Sequence, residues 1–273
     1  MENPEEPAVT PEPAEPIVRP IPRFSLRVEA ETLRALVNAI VPFVSEEEAD
    51  AVFNITGEGL IFKQMDTSHI ALISINRPSS RFTSYEVTEE GKLCVSIAML
   101  NKVLGRSKSK DIEYISLSTT DEGKLRVSFD YKEGNTLKVF HLPLMEEAYI
   151  EPPEPKLEHT TRVKLEASEL YRALQDTEIV SDVVRVTTNG DSIRLNAQGE
   201  TLKAEVTFDK SDTLDLYTQE ETSAIYAIEY LLSIVKVGND LCDIVTLEYS
   251  KDLPCKVSFE DEAHFWLAPR IEG

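Results

Sequence analysis

The stretch Gly57–Ile75, GEGLIFKQMDTSHIALISI, contains two apolar runs on either side of a short polar break. The runs, Leu60–Met65 and Ile70–Ile75, each have the length of a strand and are rich in β-branched and large apolar residues. The break, Asp66–His69, carries Asp and Ser, whose side chains hydrogen-bond nearby backbone and favour a turn. The stretch therefore predicts a β-hairpin or tight strand pair with a polar tip.

The tip has two interpretations. Asp66 and His69 have the residue types of a carboxylate that orients an imidazole, as in many enzymes. No nucleophile or metal-binding cluster lies nearby in the sequence. The favoured interpretation is therefore a turn held by its own polar side chains.

The chain as a whole is acidic, with 273 residues, 41% of them apolar, 49 acidic against 28 basic residues and a formal net charge of −21. This composition indicates a soluble protein with one large domain or two of ordinary size. Any contact with nucleic acid must come from a local basic patch. No apolar run approaches the roughly 20 residues that span a bilayer, and no signal peptide is visible, so no membrane contact is expected.

The three cysteines, Cys94, Cys242 and Cys255, have no C-x-x-C spacing. A disulfide framework or a zinc site is therefore not expected, and no cofactor is predicted. The thiols are predicted to be buried as small hydrophobic side chains. This pattern predicts a reducing, intracellular location: the cytoplasm or nucleoid, or the nucleus in a eukaryote.

Two proline-rich segments divide the chain. Residues 1–23 hold seven of the fifteen prolines with five interleaved glutamates, which is the composition of a disordered tail. Residues 146–159, EEAYIEPPEPKLEH, hold three prolines and five glutamates and predict an extended linker. The predicted division is a tail at 1–23, a first domain at 24–144, a connecting loop at 145–160 and a second domain at 161–273.

Hydrophobic periodicity predicts two helices in each domain and strands elsewhere. In the first helix, apolar residues at positions 33, 36, 37 and 40 share one face, with Arg34 and Asn38 opposite. The predicted helices are Glu31–Phe43, Ile97–Gly105, Ser168–Thr177 and Tyr226–Lys236. Besides the hairpin, the predicted strands are Phe24–Val28, Ala51–Ile55, Phe82–Tyr85, Lys92–Ser96, Ile112–Leu117, Lys124–Tyr131, Thr136–Leu142, Arg162–Leu165, Val183–Thr187, Ser192–Ala197, Leu202–Phe208, Asp243–Tyr249, Cys255–Glu260 and His264–Ala268.

The two halves are similar in sequence. Val28-Glu29-Ala30 matches Leu165-Glu166-Ala167, and Asp111-Ile112 matches Asp243-Ile244 further along. A repeat of this length indicates two copies of a domain rather than a solenoid. Each copy mixes two short helices with many strands, so we predict an α+β fold with the helices on one face of largely antiparallel sheets.

Three motifs in this duplicated chain resemble the sliding-clamp family (proliferating cell nuclear antigen) of eukaryotes and archaea. They are E-G-L with M-D-x-S-H (Glu58–Leu60, Met65–His69), F-x-x-Y (Phe82, Tyr85) and L-A-P-R-I-E (Leu267–Glu272). The resemblance covers about residues 24–273. It implies one subunit of a trimeric ring, with two clamp-type domains per subunit, that encircles double-stranded DNA without reading its sequence. Such a ring gives a DNA polymerase processivity and is not an enzyme.

The resemblance also implies the residues that meet neighbouring subunits. The family's pairing edges correspond to Thr136–Leu142 and Leu202–Phe208, although the sequence alone leaves open that both are interior strands. The implied interface residues are Thr136, Val139, Phe140, Leu142, Leu202, Ala204, Val206 and Phe208. The partner subunits are two further clamp chains, and the choice between a homotrimer and a heterotrimer stays open.

The family lines the hole of the ring with helices, which implies a set of DNA-facing cations. These are Arg34, Lys102, Arg106, Lys108, Lys110, Arg172 and Lys236. Cations near a helix C-terminus also suit any protein, through the helix dipole. The lining is thinner than the family pattern, because Val41, Gln175 and Glu229 stand where further basic residues are expected.

Partners in this family insert a short motif, a glutamine followed by an aliphatic and two aromatic residues, into an apolar pocket. The implied pocket residues are Met65, His69, Ile70, Tyr149, Ile150, Pro254, Trp266, Leu267, Ala268 and Pro269. The implied partners are a clamp loader, a DNA polymerase, a flap endonuclease and a DNA ligase. Without the resemblance, Met65 and Trp266 would be interpreted as core residues.

Other functions are weighed against this one. The sequence has no Walker loop, G-x-S-x-G, H-E-x-x-H or dinucleotide fingerprint, and its four histidines are scattered, which disfavours an enzyme. The alternatives are a relative of the same fold used in DNA-damage signalling and a non-catalytic β-rich scaffold.

Overall fold

The computed structural model of the chain describes residues 21–44, 50–107, 111–132, 137–145 and 151–271. Some predicted features lie outside the described residues. They are most of the tail, Lys108, Lys110, Thr136, Tyr149 and Ile150.

The hairpin predicted at residues 57–75 is confirmed. β3 (Gly59–Met65) pairs antiparallel with β4 (Ala71–Pro78), from Gly59 opposite Pro78 to Met65 opposite Leu72. A Cβ at position 59 would lie 2.2 Å from the carbonyl oxygen of Arg77, so only glycine allows this approach. Phe62 and Ile75 are fully buried and attach one face of the hairpin to the core.

Four α-helices and eighteen strands form among the described residues, close to the predicted elements. The helices are α1 (Ala30–Ile40), α2 (Ile97–Leu104), α3 (Ala167–Glu178) and α4 (Ile228–Leu241). The other strands of the first half are β1 (Arg23–Glu29), β2 (Asp50–Thr56), β5 (Ser84–Glu89), β6 (Gly91–Ser96), β7 (Ile112–Thr119), β8 (Lys124–Tyr131) and β9 (Lys138–Pro143). Those of the second half are β10 (Thr161–Glu166), β11 (Val183–Thr188), β12 (Ser192–Gln198), β13 (Lys203–Asp209), β14 (Asp215–Thr218), β15 (Thr222–Ala227), β16 (Ile244–Tyr249), β17 (Cys255–Phe259) and β18 (Ala263–Leu267).

Several predicted boundaries were wrong. β14 and β15 were missed, because β14 has only four residues and the sequence of β15, TSAIYA, does not alternate between polar and apolar residues. Consequently α4 begins at Ile228, since Tyr226 and Ala227 complete β15. α1 ends at Ile40 and is followed by a short 3-10 turn, because Pro42 has no N–H to continue the helix. Several strand ends also shift by one to two residues: β5 excludes Phe82 and Thr83, β9 begins at Lys138, β13 excludes Leu202, and β18 ends at Leu267.

The strands form three antiparallel sheets. Their orders are β5-β1-β7-β8-β9, β13-β12-β11-β15 and β14-β10-β16-β17-β18-β4-β3-β2-β6. The nine-stranded sheet passes from the second half to the first at β18 and β4, where Phe265 lies opposite Ile73 and Trp266 opposite Leu72. The two halves therefore share one continuous sheet.

The internal repeat is present in the topology as well as in the sequence. α1 begins at Ala30 directly after β1, and α3 begins at Ala167 directly after β10. The order β5-β1-β7-β8-β9 recurs as β14-β10-β16-β17-β18, and β6-β2-β3-β4 recurs as β15-β11-β12-β13. In this correspondence β9 is the counterpart of β18, and β13 is the counterpart of β4. The predicted α+β fold, with helices packed on antiparallel sheets, is confirmed.

The four helices pack as one row in the order α2-α1-α4-α3. Their predicted apolar faces are buried against the sheets, as at Leu33, Leu100, Leu170 and Leu231. The row leaves α2 beside β9 at one end and α3 beside β13 at the other. No helix in the part of the chain that the structure describes is long and apolar enough to cross a membrane.

A substitution at Gly238 tests how α4 packs on the sheet. A Cβ at this position would lie 1.9 to 2.2 Å from three ring atoms of the buried Phe259. We expect Gly238→Ala to lower the free energy of unfolding by about 3 kcal/mol, measured by urea denaturation, because overpacking outweighs the helix propensity of alanine. Gly105→Ala is the control, with nothing within 4 Å of the added Cβ. Equal stability of the two variants would contradict this packing.

Candidate functional site

The loop between β3 and β4 is organised around the carboxylate of Asp66, which is only 5% exposed. Its Oδ1 accepts hydrogen bonds from the backbone N–H groups of Ile70 and Ala71, both at 2.7 Å. Its Oδ2 accepts the N–H of Ser68 at 3.2 Å and the hydroxyl of Tyr230 at 3.0 Å. A carboxylate with four donors in place is a structural anchor, so the predicted self-held turn is confirmed.

The same loop is tied to the C-terminal segment. The N–H of Ala268 donates to the carbonyl oxygen of Ile70 at 2.9 Å, which continues the β18–β4 ladder. His69 has a φ of 57°, a left-handed conformation that its own N–H stabilises by donating to the Asp66 carbonyl at 3.0 Å. The loop and the C-terminal segment thus form two adjoining walls at one end of the junction between the halves.

The predicted pocket residues fall into three groups around these walls. His69 is exposed, and Met65, Ile70, Pro254, Ala268 and Pro269 are half-buried, so their side chains are accessible. Trp266 and Leu267 are buried, at 5% and 0% exposure. Leu267 belongs to the core, whereas Trp266 lies on the other face of β18, next to His264 and Lys256. Pro254 adjoins them because Cys255 lies opposite Leu267 in the β17–β18 ladder. Of this set, Leu267 is corrected: it offers no surface to a ligand.

The linker is held against the outer side of the hairpin by charged contacts. Lys63 Nζ lies 2.9 Å from Glu151 and 3.2 Å from Glu154, and the Ser74 hydroxyl donates to Glu154 at 2.9 Å. Burial acts to raise the pKa of Glu154, but its hydrogen bonds from Ser74 and Lys63 outweigh burial and lower that pKa. Burial acts to lower the pKa of Lys63, and the two carboxylates raise it overall.

These linker contacts were not predicted from the sequence. Lys63 is the one basic residue in an otherwise uncharged β3, and alternation along β3 could have marked it as facing away from the core. Tyr230 had no such signal, because its contact with Asp66 joins residues 164 positions apart.

Two histidines lie near the linker. Burial lowers the pKa of His159 and of His264, and the nearby Lys256 lowers both further, against Glu248. His264 Nδ1 lies 3.0 Å from the Ser258 hydroxyl, while both ring nitrogens of His159 are buried without a hydrogen-bond partner among the described residues. Both rings are therefore held neutral at pH 7.

The five predicted DNA-facing cations that the structure describes lie on or next to the row of helices. Lys102, Arg106, Arg172 and Lys236 are exposed, and Arg34 is half-buried. Arg172 pairs with Glu169 at 2.8 Å and Arg34 lies 3.7 Å from Glu31, so part of the positive charge is offset locally. Among the described helix residues, exposed acids also include Asp176, Glu178 and Glu229.

Both predicted pairing segments lie at sheet edges. Among the strands that the structure describes, β9 pairs only with β8 and β13 only with β12, so the interpretation of both as interior strands is wrong. Val139, Phe140, Ala204, Val206 and Phe208 are half-buried there. Leu142 is corrected, since it is 4% exposed and belongs to the core, whereas Leu202 is 57% exposed just before β13.

The described residues contain no group of three or more His, Cys, Asp or Glu side chains that could hold a metal ion. Cys94 and Cys255 are buried, as predicted, and burial raises the pKa of Cys255 to about 12. Cys242 is half-buried.

Two family profiles match the chain. One, the proliferating cell nuclear antigen N-terminal domain, matches residues 25–149, and the other, the C-terminal domain of the same family, matches residues 154–269. A DNA polymerase sliding clamp of Thermococcus gammatolerans is 35% identical over 229 residues, covering 82% of this chain and 90% of the relative. A DNA polymerase sliding clamp of Nitrosopumilus maritimus is 29% identical over 250 residues, covering 89% and 96%.

Solved structures are similar in fold. The crystal structure of PCNA from Thermococcus kodakaraensis aligns with a TM-score of 0.81 at 24% identity, covering 90% of this chain and all of that one. A structure of the C-terminal region of FEN-1 bound to A. fulgidus PCNA aligns with a TM-score of 0.80 at 22% identity, covering 92% and 99%.

The neutral histidines predict a pH dependence of stability. A histidine whose folded-state pKa is lowered stabilises the fold above its unfolded pKa of 6.5, and this contribution is lost as the pH falls through 6.5 toward the folded pKa. We expect the free energy of unfolding to fall between pH 7 and pH 5, and to fall less in His159→Leu. His69→Gln, at an exposed position, is the control and should keep the wild-type slope. An unchanged slope in His159→Leu would contradict the assignment.

Proposed function

This chain belongs to the proliferating cell nuclear antigen family of DNA polymerase sliding clamps, and we propose that it is one subunit of a three-subunit ring around duplex DNA. The ring confers processivity on a DNA polymerase and tethers further replication and repair enzymes, inside the cell and without catalysing a reaction itself. The domain division at 24–144 and 161–273 is part of this proposal.

One observation carries the proposal: the chain contains the ring-forming junction within itself. β18 of the second half pairs with β4 of the first half. Their counterparts in the repeat, β9 and β13, are edge strands with one side unpaired by any described strand. Repeating the same junction between chains joins β9 of one copy to β13 of the next, which is a head-to-tail contact that closes into a ring.

The repeat also yields the register of that contact. Within the chain, Ala263 lies opposite Ile75, Phe265 opposite Ile73 and Leu267 opposite Ala71. The strand registers within each half show which residues of β9 and β13 correspond to these residues of β18 and β4. This correspondence predicts three residue pairs between one copy and its neighbour. They are Lys138 opposite Val206, Phe140 opposite Ala204 and Leu142 opposite Leu202. Two of these pairs join residues of the interface set that the family resemblance implies: Phe140 with Ala204, and Leu142 with Leu202, where the buried Leu142 would take part through its backbone.

The helices support the same closure. α4 packs against α1 at the junction inside the chain, so α2 of one copy is expected beside α3 of the next. By the same correspondence Met99 on α2 is the counterpart of Tyr230, and residues 199–202 are the counterpart of the loop around Asp66. Met99 and Leu202 are 51% and 57% exposed in the single chain. Their burial against each other would remove both apolar side chains from water.

The helix row would then line the hole. Contact with DNA would rest on Arg34, Lys102, Arg106, Arg172 and Lys236, with Lys108 and Lys110 beyond α2, through phosphates and without base recognition. Because nearby acids offset these cations, the contact is expected to be weak and sensitive to salt.

Partner enzymes would bind at the walls formed by the Asp66 loop and the C-terminal segment. The accessible residues there are Met65, His69, Ile70, Pro254, Ala268 and Pro269, with Trp266 beneath them and Tyr149 and Ile150 of the linker completing the pocket. Half-buried methionine and small residues suit an aromatic anchor from a short peptide. A clamp loader, a DNA polymerase, a flap endonuclease and a DNA ligase are the proposed partners, held near DNA by effective concentration.

A designed disulfide tests the register. We expect the pair Lys138→Cys with Val206→Cys, in one chain, to give covalently closed trimers under oxidising conditions on a non-reducing gel. Directly opposed residues of a non-hydrogen-bonded antiparallel pair have Cα atoms about 4.5 Å apart, within disulfide range. The control moves one cysteine by two residues, Lys138→Cys with Phe208→Cys, and should cross-link far less. Equal cross-linking of the two pairs, or none, would contradict the register.

Charge changes on α4 test the DNA-facing surface. Glu229 and Lys236 are exposed and lie two turns apart on this helix. We expect Glu229→Lys to lengthen and Lys236→Glu to shorten retention on nicked circular DNA, each several-fold at about 0.15 M salt, because each change alters phosphate attraction. Lys251→Glu, in an exposed turn away from the helices, is the control. If neither Glu229→Lys nor Lys236→Glu changed retention on DNA, α4 would be excluded from the lining of the hole.

A further inference from the structure

Tyr230 connects the partner-binding loop of the first half to a helix of the second half. It lies in the first turn of α4, and its hydroxyl donates to the Asp66 carboxylate at 3.0 Å. The receiving oxygen also accepts the N–H of Ser68, while the other oxygen holds Ile70 and Ala71. A shift of the Tyr230 hydroxyl therefore acts on the group that fixes the whole loop.

The contact belongs to a closed circuit of hydrogen bonds. The loop joins the C-terminal segment through Ala268 N–H and the Ile70 carbonyl, at 2.9 Å. The C-terminal segment joins β15 through Arg270 N–H and the Ile225 carbonyl, at 2.7 Å. β15 leads directly into α4, and Tyr230 returns to Asp66. The two walls of the proposed pocket and the first turn of α4 are thus held in one arrangement.

The same helix reaches the proposed DNA surface. Glu229, next to Tyr230, and Lys236 further along α4 are both exposed, and α4 packs between α1 and α3 in the helix row. Tyr230 itself is half-buried, and burial together with the Asp66 carboxylate raises the pKa of its hydroxyl, so it remains a donor at neutral pH. One rigid element therefore contacts both surfaces.

We propose that Tyr230 is a positioning residue that couples the DNA-lining helix to the partner pocket through Asp66. The proposal deepens the proposed clamp function and rests on it. DNA in the hole restrains α4, which orders the Asp66 loop before a peptide arrives, so the peptide binds more tightly to a ring on DNA. Because such coupling is reciprocal, bound peptide strengthens the hold of the ring on DNA by the same factor.

The first experiment removes only the hydroxyl. Tyr230→Phe should weaken binding of a labelled synthetic peptide, a glutamine followed by an aliphatic and two aromatic residues, by about fivefold to rings free of DNA. Amide exchange at Ile70 and Ala71, whose N–H groups donate to the other oxygen of Asp66, should quicken while amides of the five-stranded sheet keep their rates. Tyr171→Phe is the matched control, since this half-buried α3 tyrosine has no hydrogen-bond partner among the described residues.

The second experiment measures the coupling. Peptide affinity is compared for rings alone and for rings threaded on a duplex whose two ends are then blocked. The wild-type ring and Tyr171→Phe should bind the peptide several-fold more tightly on DNA, and Tyr230→Phe should lose most of that gain.

The outcomes distinguish a failure of the proposed pocket from a failure of the coupling through Tyr230. A wild-type ring that binds no peptide would overturn the pocket and the coupling together. A wild-type ring that binds peptide while Tyr230→Phe matches it in affinity, exchange and DNA dependence would overturn the coupling alone. A third outcome is that Tyr230→Phe loses stability uniformly, with amide exchange raised throughout the chain and the DNA-dependent gain in peptide affinity intact. That result would show that Tyr230 contributes only to packing, and it would also overturn the coupling.

Discussion

Pairing between β18 and β4 is the contact on which the architecture depends. Five residue pairs across this ladder turn two similar halves into one nine-stranded sheet and bring α1 and α4 together in the helix row. The ladder uses β4 of the first half and β18 of the second, so their counterparts β13 and β9 each keep one side that no described strand pairs. A single type of junction, used once within the chain and once between chains, is sufficient to build a closed ring.

The junction inside the chain and the proposed junction between chains differ in chemistry. Inside the chain, the buried Asp66 carboxylate and the Tyr230 hydroxyl form a polar contact beside the ladder. Between chains, the counterpart of Tyr230 is Met99, and the counterpart of the Asp66 loop is the turn 199–201 with Leu202 after it; Met99 and Leu202 are apolar and exposed. A permanent contact can hold a desolvated carboxylate with four donors in fixed geometry, whereas a contact that must form between separate molecules is better made from apolar side chains. The proposed partner pocket lies at the junction inside the chain, so its walls would not depend on assembly.

The sequence predicted most of this fold because its periodic signals were local. The apolar spacing of α1 and the alternation of β3 and β4 identified those elements, and the Val28–Ala30 and Leu165–Ala167 match revealed the repeat. The failures have physical reasons: β14 is too short for alternation, and Tyr226 belongs to a strand although it resembles the start of the helix that follows. The Tyr230–Asp66 hydrogen bond and the salt bridge from Lys63 to the linker could not be predicted from the sequence, since both join residues that are brought together only by the tertiary fold. The family resemblance assigned Leu142 to the subunit interface and Leu267 to the pocket. Both side chains lie in the core, because side chains alternate between the two faces of a strand and these two face inward.

The central claim is that an acidic chain forms a ring by repeating its own internal junction, with the helix row turned inward. Cryo-electron microscopy of the assembled complex tests this most directly. The account predicts six similar domains in a closed ring, continuous sheet across every junction, and α1 to α4 of each subunit around the hole. A ring with its helices on the outer rim, or subunits that meet through surfaces other than β9 and β13, would contradict it.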